Sequence, residues 1–287
     1  RKIVPNQLFF LRHFSSLIYR LSKHLQTLEA CNMCILFTAY RTHPDYPLIV
    51  AANRDEMYAR PTKEAHFWED EPNILAGRDL EQLGTWLGIT KTGRFAALTN
   101  YRNPNEKREG KQSRGHIVRN FLTSDKAPFD FLNDLQQERE QYPGFNVLVA
   151  DQTSLYYYSN VENKIKKVEN GVHGLSNHLL NTPWPKVEKG KKRLQALVNK
   201  NDINKEQLFQ LLADKDYAET DQLPSTGVPL EIEKQLSSIF IDMEQYGTRC
   251  STVLLIAKDG TVSFYERSFP TEKEKFYQFN VNEIIEK

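Results

Sequence analysis

Cysteine is scarce: Cys31, Cys34 and Cys250 are the three in 287 residues. Three thiols cannot build the disulfide framework of a secreted domain, and their spacing offers no metal-ligand set. The Cys31-x-x-Cys34 pair matches a redox pattern but lacks its strand-then-helix setting, because Cys34 opens an apolar, strand-like run. A reducing, cytoplasmic compartment is therefore expected. Excess charge is missing too. The 38 Lys and Arg nearly cancel the 37 Asp and Glu, leaving a formal net charge of +1, so no global field points to nucleic acid or an anionic membrane. Apolar runs are short and broken by charge, none approaching the roughly 20 residues that span a bilayer, so no stable membrane insertion is expected. Gly-rich phosphate loops are absent, which argues against a nucleotide-dependent enzyme. His173 and His178 flank Asn177 without an HExxH or other ligand spacing, so neither a metal nor a cofactor is assigned.

What is present divides at Met33. Upstream, residues 1–32 carry five Lys or Arg against one acid, Glu29, around the stretch LFFLRHFSSLIYRLSKHL. This segment reads as a non-native upstream extension from a mis-set start, as a propeptide cleaved before Cys34, or as a basic helical or targeting arm. Downstream, residues 33–287 show no repeat, linker or low-complexity tract and are expected to form a single domain.

Within that domain, short β-rich runs alternate with turn signals. CILFTAYR and PLIVAANRD read as two strands of a hairpin across His43-Pro44-Asp45, which brings Arg54 and Asp55 beside the start of the first strand. TWLGIT and RFAALTN flank the Lys91-Thr92-Gly93 turn and leave Asn100 at a strand end. Ser113–Leu122 and Phe129–Tyr142 are expected helices, the second stopped by Pro143-Gly144. FNVLVADQTSLYYYSN reads as a hairpin, and KIKKVENGVHGLSN as a further strand pair that delivers Asn177. Thr182-Pro183 is expected to cap a helix with the body WPKVEKGKKRLQALV, Asn204–Leu212 to form another, and RCSTVLLIAKDGTVSFYERSF to close as a hairpin at Asp259-Gly260. Antiparallel strands on either side of a helical block predict an α+β domain with helix-covered sheets.

Cys34 is the residue whose chemistry depends most on its position. If it became the first residue, its thiol and α-amine would share one residue, and an α-amine, with a pKa of about 7.7–8.0, can act as a general base near neutrality. Arg54 would hold positive charge near the thiolate and Asp55 would orient the α-ammonium. Asn100 and Asn177 are candidate donors to a tetrahedral oxyanion, and Arg249 a candidate second cation. Taken singly, each has an ordinary explanation: a core thiol, a surface ion pair, asparagines at turns. The basic run Lys186, Lys189, Lys191, Lys192 and Arg193 reads as a solvated helix face, and Trp68, Trp86 and Trp184 as core or pocket lining.

Taken together, the motifs are recognisable. Met33-Cys34, then PLIVAANRDEMYARPTKEAHFW, GTWLGITKTGRFAALTNYRNP, SRGHIVRNFL, GFNVLVAD, GLSNHLLNTPWPK and YGTRCSTVLLI strongly resemble the NRDE family, to which transport and Golgi organization 2 homologues belong. The family takes its name from the motif that here is Asn53-Arg54-Asp55-Glu56. The resemblance implies a four-layer α-β-β-α sandwich of the N-terminal nucleophile hydrolase type, and a site drawn from Cys34, Arg54, Asp55, Asn100, Asn177 and Arg249. It implies a cysteine hydrolase cleaving an amide or related acyl bond of a small molecule through a thioester; the alternative is a non-catalytic protein that carries haem, an acyl lipid or acyl-CoA in the same cavity. One departure stands out. Cysteine amidases of this type place their Arg and Asp three apart, whereas Arg54 and Asp55 are adjacent and must point to opposite faces of an extended strand. Cys250 stands where relatives are expected to carry Thr.

Overall fold

Two consecutive strands meet as the turn residues dictate: β1 (Cys34–Tyr40) and β2 (Leu48–Met57) pair antiparallel from Tyr40 opposite Leu48 to Cys34 opposite Arg54. In the computed structural model the described residues are 34–200 and 203–281. Cys31 and the three readings of the upstream segment lie outside them.

β3 (Thr62–Phe67), β4 (Ile74–Asp79), β5 (Leu87–Thr90) and β6 (Phe95–Asn100) run on as a meander. Two helices follow, α1 (Gly115–Thr123) and α2 (Pro128–Gln137), and the meander resumes through β7 (Phe145–Ala150), β8 (Leu155–Ser159) and β9 (Lys164–Lys167). β3 to β9 make one sheet of seven strands in sequence order. The other sheet has the order β10-β1-β2-β11-β12-β13, with β10 (Gly171–Leu175), β11 (Tyr246–Ile256), β12 (Thr261–Ser268) and β13 (Lys273–Asn280). Between β10 and β11 lie α3 (Pro185–Lys200), α4 (Lys205–Leu212) and the short α5 (Leu230–Gln235).

Side-chain alternation sorts three cores into four layers. Leu36, Val50, Ala52 and Leu254 meet Leu75, Leu87, Ala97 and Leu148 between the sheets. Ile35, Phe37, Ile49, Ala51 and Val253 point the other way, onto Val187, Leu194 and Leu208 of α3 and α4. On the far side Ala96, Val147 and Val149 take Ile117, Phe121 and Leu132 of α1 and α2. The α-β-β-α sandwich of antiparallel sheets is thus present. It also explains why β1 and β2 lack the polar alternation of a half-exposed strand: both of their faces are covered.

Four expectations need correction. β9 and β10 are not a pair: β9 pairs with β8, and β10 crosses to the other sheet to pair with β1. Local alternation is the same for either partner, so it cannot choose between them. The helix expected over Phe129–Tyr142 stops at Gln137, and a separate 3-10 turn covers Arg139–Gln141. The Ser113 start moves to Gly115. Thr182 does not cap α3; its hydroxyl donates to the Leu179 carbonyl, and the helix starts at the second proline, Pro185. Asn204 and Gln207 do form a reciprocal capping box on α4.

Candidate active site

Cys34, Arg54 and Cys250 stand opposite one another on β1, β2 and β11. Directly opposed residues of antiparallel strands share a face, so all three project toward the second sheet. There Cys34 and Arg54 meet a cavity of about 300 Å³, lined also by Asp55 and Glu56 from the same sheet and by Asp79, Trp86 and Asn100 from the other. The irregular segment between β6 and α1 closes it with Arg108, Lys111 and Arg114.

Arg54 is buried and fixed. Its guanidinium lies 4.2 Å from the centre of the Trp86 ring, Nη1 donates to Thr62 Oγ1 at 2.9 Å, and Nη2 lies 3.5 Å from Asp79 and 3.8 Å from Glu56. Asp79 in turn accepts from Arg60 Nε at 2.5 Å. The result is a planar cation held in one orientation beside the thiol.

Asp55 points to the opposite face of β2, as adjacency required. Its Oδ1 accepts from Thr248 Oγ1 at 2.6 Å, while Oδ2 is buried and meets no hydrogen-bond donor among the described residues. Its backbone N–H favours the Cys34 thiolate. Cys34 keeps some accessible surface but sits deep among protein atoms. Burial, followed by the Asp55 charge, pushes its thiol up to about 12, and the Asp55 N–H and Arg54 only partly offset this. The resting thiol is thus protonated at neutral pH.

The sequence profile described as Transport and Golgi organisation 2 matches residues 33–271. The mouse Transport and Golgi organization 2 homolog is 35% identical over 273 residues, covering 88% of this chain and 99% of the mouse protein. The chain belongs to this family. The human homolog is 37% identical, covering 82% of this chain and 93% of its own length. Among solved structures, a mutant of conjugated bile acid hydrolase from Clostridium perfringens is similar with a TM-score of 0.38 at 10% identity, over 88% of this chain and 85% of that one. A Caenorhabditis elegans ortholog of N-acylethanolamine-hydrolyzing acid amidase gives a TM-score of 0.38 at 11% identity, over 77% and 92%.

In this family member the two asparagines are not equivalent. Asn100 lines the cavity. Asn177 is fully buried behind it, its Nδ2 donating to the Asn100 carbonyl at 3.0 Å and its own carbonyl accepting from the Arg102 N–H. Asn177 therefore fixes the strand end that carries Asn100.

Arg249 is a correction. β11 bulges between Thr248 and Cys250, which displaces Arg249 from the row that holds Cys250 and Arg54. Its Nη1 donates to the carbonyls of Met57, Tyr58 and Arg60, and the side chain lines a different cavity, of about 1070 Å³, with Tyr58 and Phe240. It holds the turn after β2 and is not a second cation at Cys34. The basic helix is also only partly a solvated face: Lys186 is buried, and Lys189 and Arg193 pair with Asp214.

Several contributors escaped the sequence reading. Ser176 Oγ donates to the Cys34 carbonyl at 3.2 Å and tethers the strand end that carries this thiol. Asp79 completes the Arg54 network from a strand whose charged, irregular sequence gave no strand signal. Trp86 was visible only as a generic pocket aromatic within GTWLG. Among the described residues no group of three or more His, Cys, Asp or Glu is placed to hold a metal ion, and no helix is long and apolar enough to cross a membrane.

Proposed function

We propose that this protein is a cysteine hydrolase acting on an amide or related acyl bond of a small molecule, in a form whose chain begins at Cys34. The observation that carries the reading is the pairing of a cavity thiol with a neighbouring carboxylate, Asp55, whose buried Oδ2 has no donor among the described residues. A buried acceptor left unsatisfied costs about 1–3 kcal/mol unless a donor arrives, and in a chain that begins at Cys34 the new α-ammonium would be that donor. The same amine supplies the base that the protonated thiol needs.

The amine takes the thiol proton, the Cys34 sulfur attacks the carbonyl carbon, and the Asn100 amide donates to the developing oxyanion. Collapse breaks the acyl–nitrogen bond, the α-ammonium returns its proton to the leaving amine, and a thioester remains on Cys34. Water then attacks the thioester, releasing the acid and restoring the thiol. Arg54 stays charged throughout and holds the thiolate or the substrate carbonyl side in place. A cytoplasmic, reducing compartment suits a mechanism that depends on an unoxidised thiol.

The test is intact-mass measurement of a chain beginning at Cys34 after exposure to a panel of amide and thioester acyl donors, beside Cys34→Ser. A Cys34-dependent acyl adduct that decays with release of acid supports the reading. Absence of any adduct across the panel, with stoichiometric retention of haem or acyl-CoA, would favour a carrier that uses the same cavity.

A further inference from the structure

Tyr40 ends β1, about 20 Å from Cys34 at the strand's other end. There a further cavity, of about 490 Å³, lies between the sheets. Tyr40, Leu48 and Ile256, aligned across β1, β2 and β11, line it from one sheet, and the opposed pair Phe95 and Ala150 from the other. The turns around it hold one another. Arg41 Nη2 donates to the Thr153 carbonyl at 2.6 Å, the Lys258 N–H to the Asp45 carbonyl at 3.0 Å, and the Val281 N–H to the Gly260 carbonyl at 3.0 Å. Walls fixed in this way lower the ordering cost of binding.

Two polar side chains of this cavity have no partner within the fold. Tyr40 and His43 are each 7% exposed, and Tyr40 Oη and His43 Nε2 are buried without a hydrogen bond among the described residues. Both groups are donors. The Asp45 N–H donates to His43 Nδ1 at 3.1 Å, so that nitrogen is an acceptor and the ring proton sits on Nε2. The ring itself lies against Tyr46, with 5.2 Å between centres. Burial pushes the Tyr40 phenol above its ordinary value, so it keeps its proton at neutral pH. The groups near its oxygen, the Leu155 N–H and the Arg41 guanidinium, are themselves donors and cannot accept that proton. An unmet buried donor is costly, and an acceptor brought in by a ligand relieves the cost.

Charge decides the kind of acceptor. The cations lining the cavity are Arg41, committed to the Thr153 carbonyl and lying 5.1 Å from the centre of the Tyr40 ring, and the exposed Lys258, with Asp151 as a counter-charge on the same wall. The two buried donors are neutral, so a carboxylate drawn in beside them would lose its water without gaining a bound cation. A carbonyl oxygen offers lone pairs and brings no net charge. We propose that this cavity is a binding site, separate from the Cys34 centre, for a small neutral carbonyl compound with an apolar body, such as a ketone, an ester or a tertiary amide, whose oxygen accepts the hydrogen bonds that Tyr40 and His43 have to give. Pro47, Leu48, Phe95 and Val281 supply apolar surface for the body. The site stands whether or not Cys34 performs hydrolysis.

The test uses the full-length chain and 2-octanone as the probe, with octanoate as its charged counterpart. The ketone binds saturably and gives intermolecular NOEs to the methyl groups of Ile256 and Val281, and octanoate binds at least tenfold more weakly. Tyr40→Phe weakens ketone binding about fivefold, the worth of one net hydrogen bond, yet leaves the urea midpoint equal or higher because the hydroxyl has no partner in the fold. His43→Phe, which keeps a ring beside Tyr46 and loses the Nε2 proton, weakens binding by a similar factor. Four results overturn the proposal: no saturable binding, which leaves the cavity to solvent; NOEs confined to Leu98 in the Cys34 cavity; octanoate binding as tightly as the ketone; or unchanged ketone affinity in either variant. A fall in the Tyr40→Phe midpoint would also overturn it, since it would mean that the hydroxyl is already bonded within the protein.

Discussion

At the scale of single residues, Cys34 is armed by position and restrained by burial. With its thiol pushed up to about 12, the full-length chain holds almost no thiolate at pH 8 and is alkylated far more slowly than free cysteine. Arg54 is one of the groups lowering that value. Arg54→Leu therefore slows Cys34 alkylation by about a further tenfold, for roughly one pKa unit, as read by iodoacetamide labelling and intact mass. An equal or faster rate would show that the guanidinium does not stabilise the thiolate. The two asparagines separate by a different measurement. Asn100 faces the cavity, so in the Cys34-initiated form Asn100→Ala lowers kcat by about 100-fold with KM little changed, the loss expected for one oxyanion donor. Asn177 acts on the backbone behind it, so Asn177→Ala slows the rate and also destabilises the fold by about 1–3 kcal/mol, read as a lower denaturant midpoint, for the buried side-chain amide bond to the Asn100 carbonyl that it removes.

At the scale of elements, the site depends on α3 lying close against β1. Gly190 makes that approach possible: a Cβ there would stand 2.0 Å from Phe37 Cζ and 2.3 Å from Cε1. Phe37 is fully buried on the strand that carries Cys34, so neither partner has room to yield. Gly190→Ala costs about 1–3 kcal/mol by overpacking, against the small gain that alanine normally brings to a helix interior, and urea denaturation reads the net sign. A stabilised variant would mean that helix and strand slide apart freely. The same elements show how far the sequence could be read. The β1–β2, β5–β6 and β11–β12 hairpins were legible because turn chemistry is local, and the first of them fixed the encounter of Cys34 with Arg54. The partner of β10 was not, because it is chosen by a strand over a hundred residues away. β3 reads TKEAHF, in which charge masks the buried Ala65, so it gave no strand signal. Arg249 was misplaced because a one-residue bulge undoes alternation, and sequence patterns do not announce bulges. Lys186 looked solvated because a helix rich in lysine has a wet face, and only the end of α5 packed over it shows that this lysine is on the dry one.

At the scale of the whole molecule, the two sheets are joined by a buried acid. Glu266 on β12 reaches across the inter-sheet core, where its Oε1 accepts the Ala65 N–H of β3 at 2.6 Å. Burial is the first cause of its elevation to about 7; the Ala65 bond, the neighbouring Cys250 thiol and the Arg54 charge pull the other way. The unfolded glutamate releases its proton near its ordinary value of about 4.3. Between that value and about 7 the folded chain holds a proton that the unfolded chain has lost, so stability falls as pH rises, and the loss is complete above the folded value. Its size is roughly 3 kcal/mol for one fully buried group. Asp55, also pushed up by burial, adds a loss of the same sign, while Lys186, pushed down by burial, adds an opposing gain because the unfolded lysine keeps its proton. Glu266→Gln keeps a carbonyl acceptor for Ala65 and removes the titration, so it isolates one contribution from the others. The expected result is a parent protein whose urea midpoint falls from pH 5 to pH 8 and a glutamine variant that falls by roughly 3 kcal/mol less, with m unchanged. Parallel curves would mean that Glu266 is ionised in the fold throughout that window. Because its carboxyl bridges the sheets that wall the Cys34 cavity, that outcome would also put a further buried anion near Arg54, beyond Asp79 and Glu56, and set its charge against a different balance than the one described.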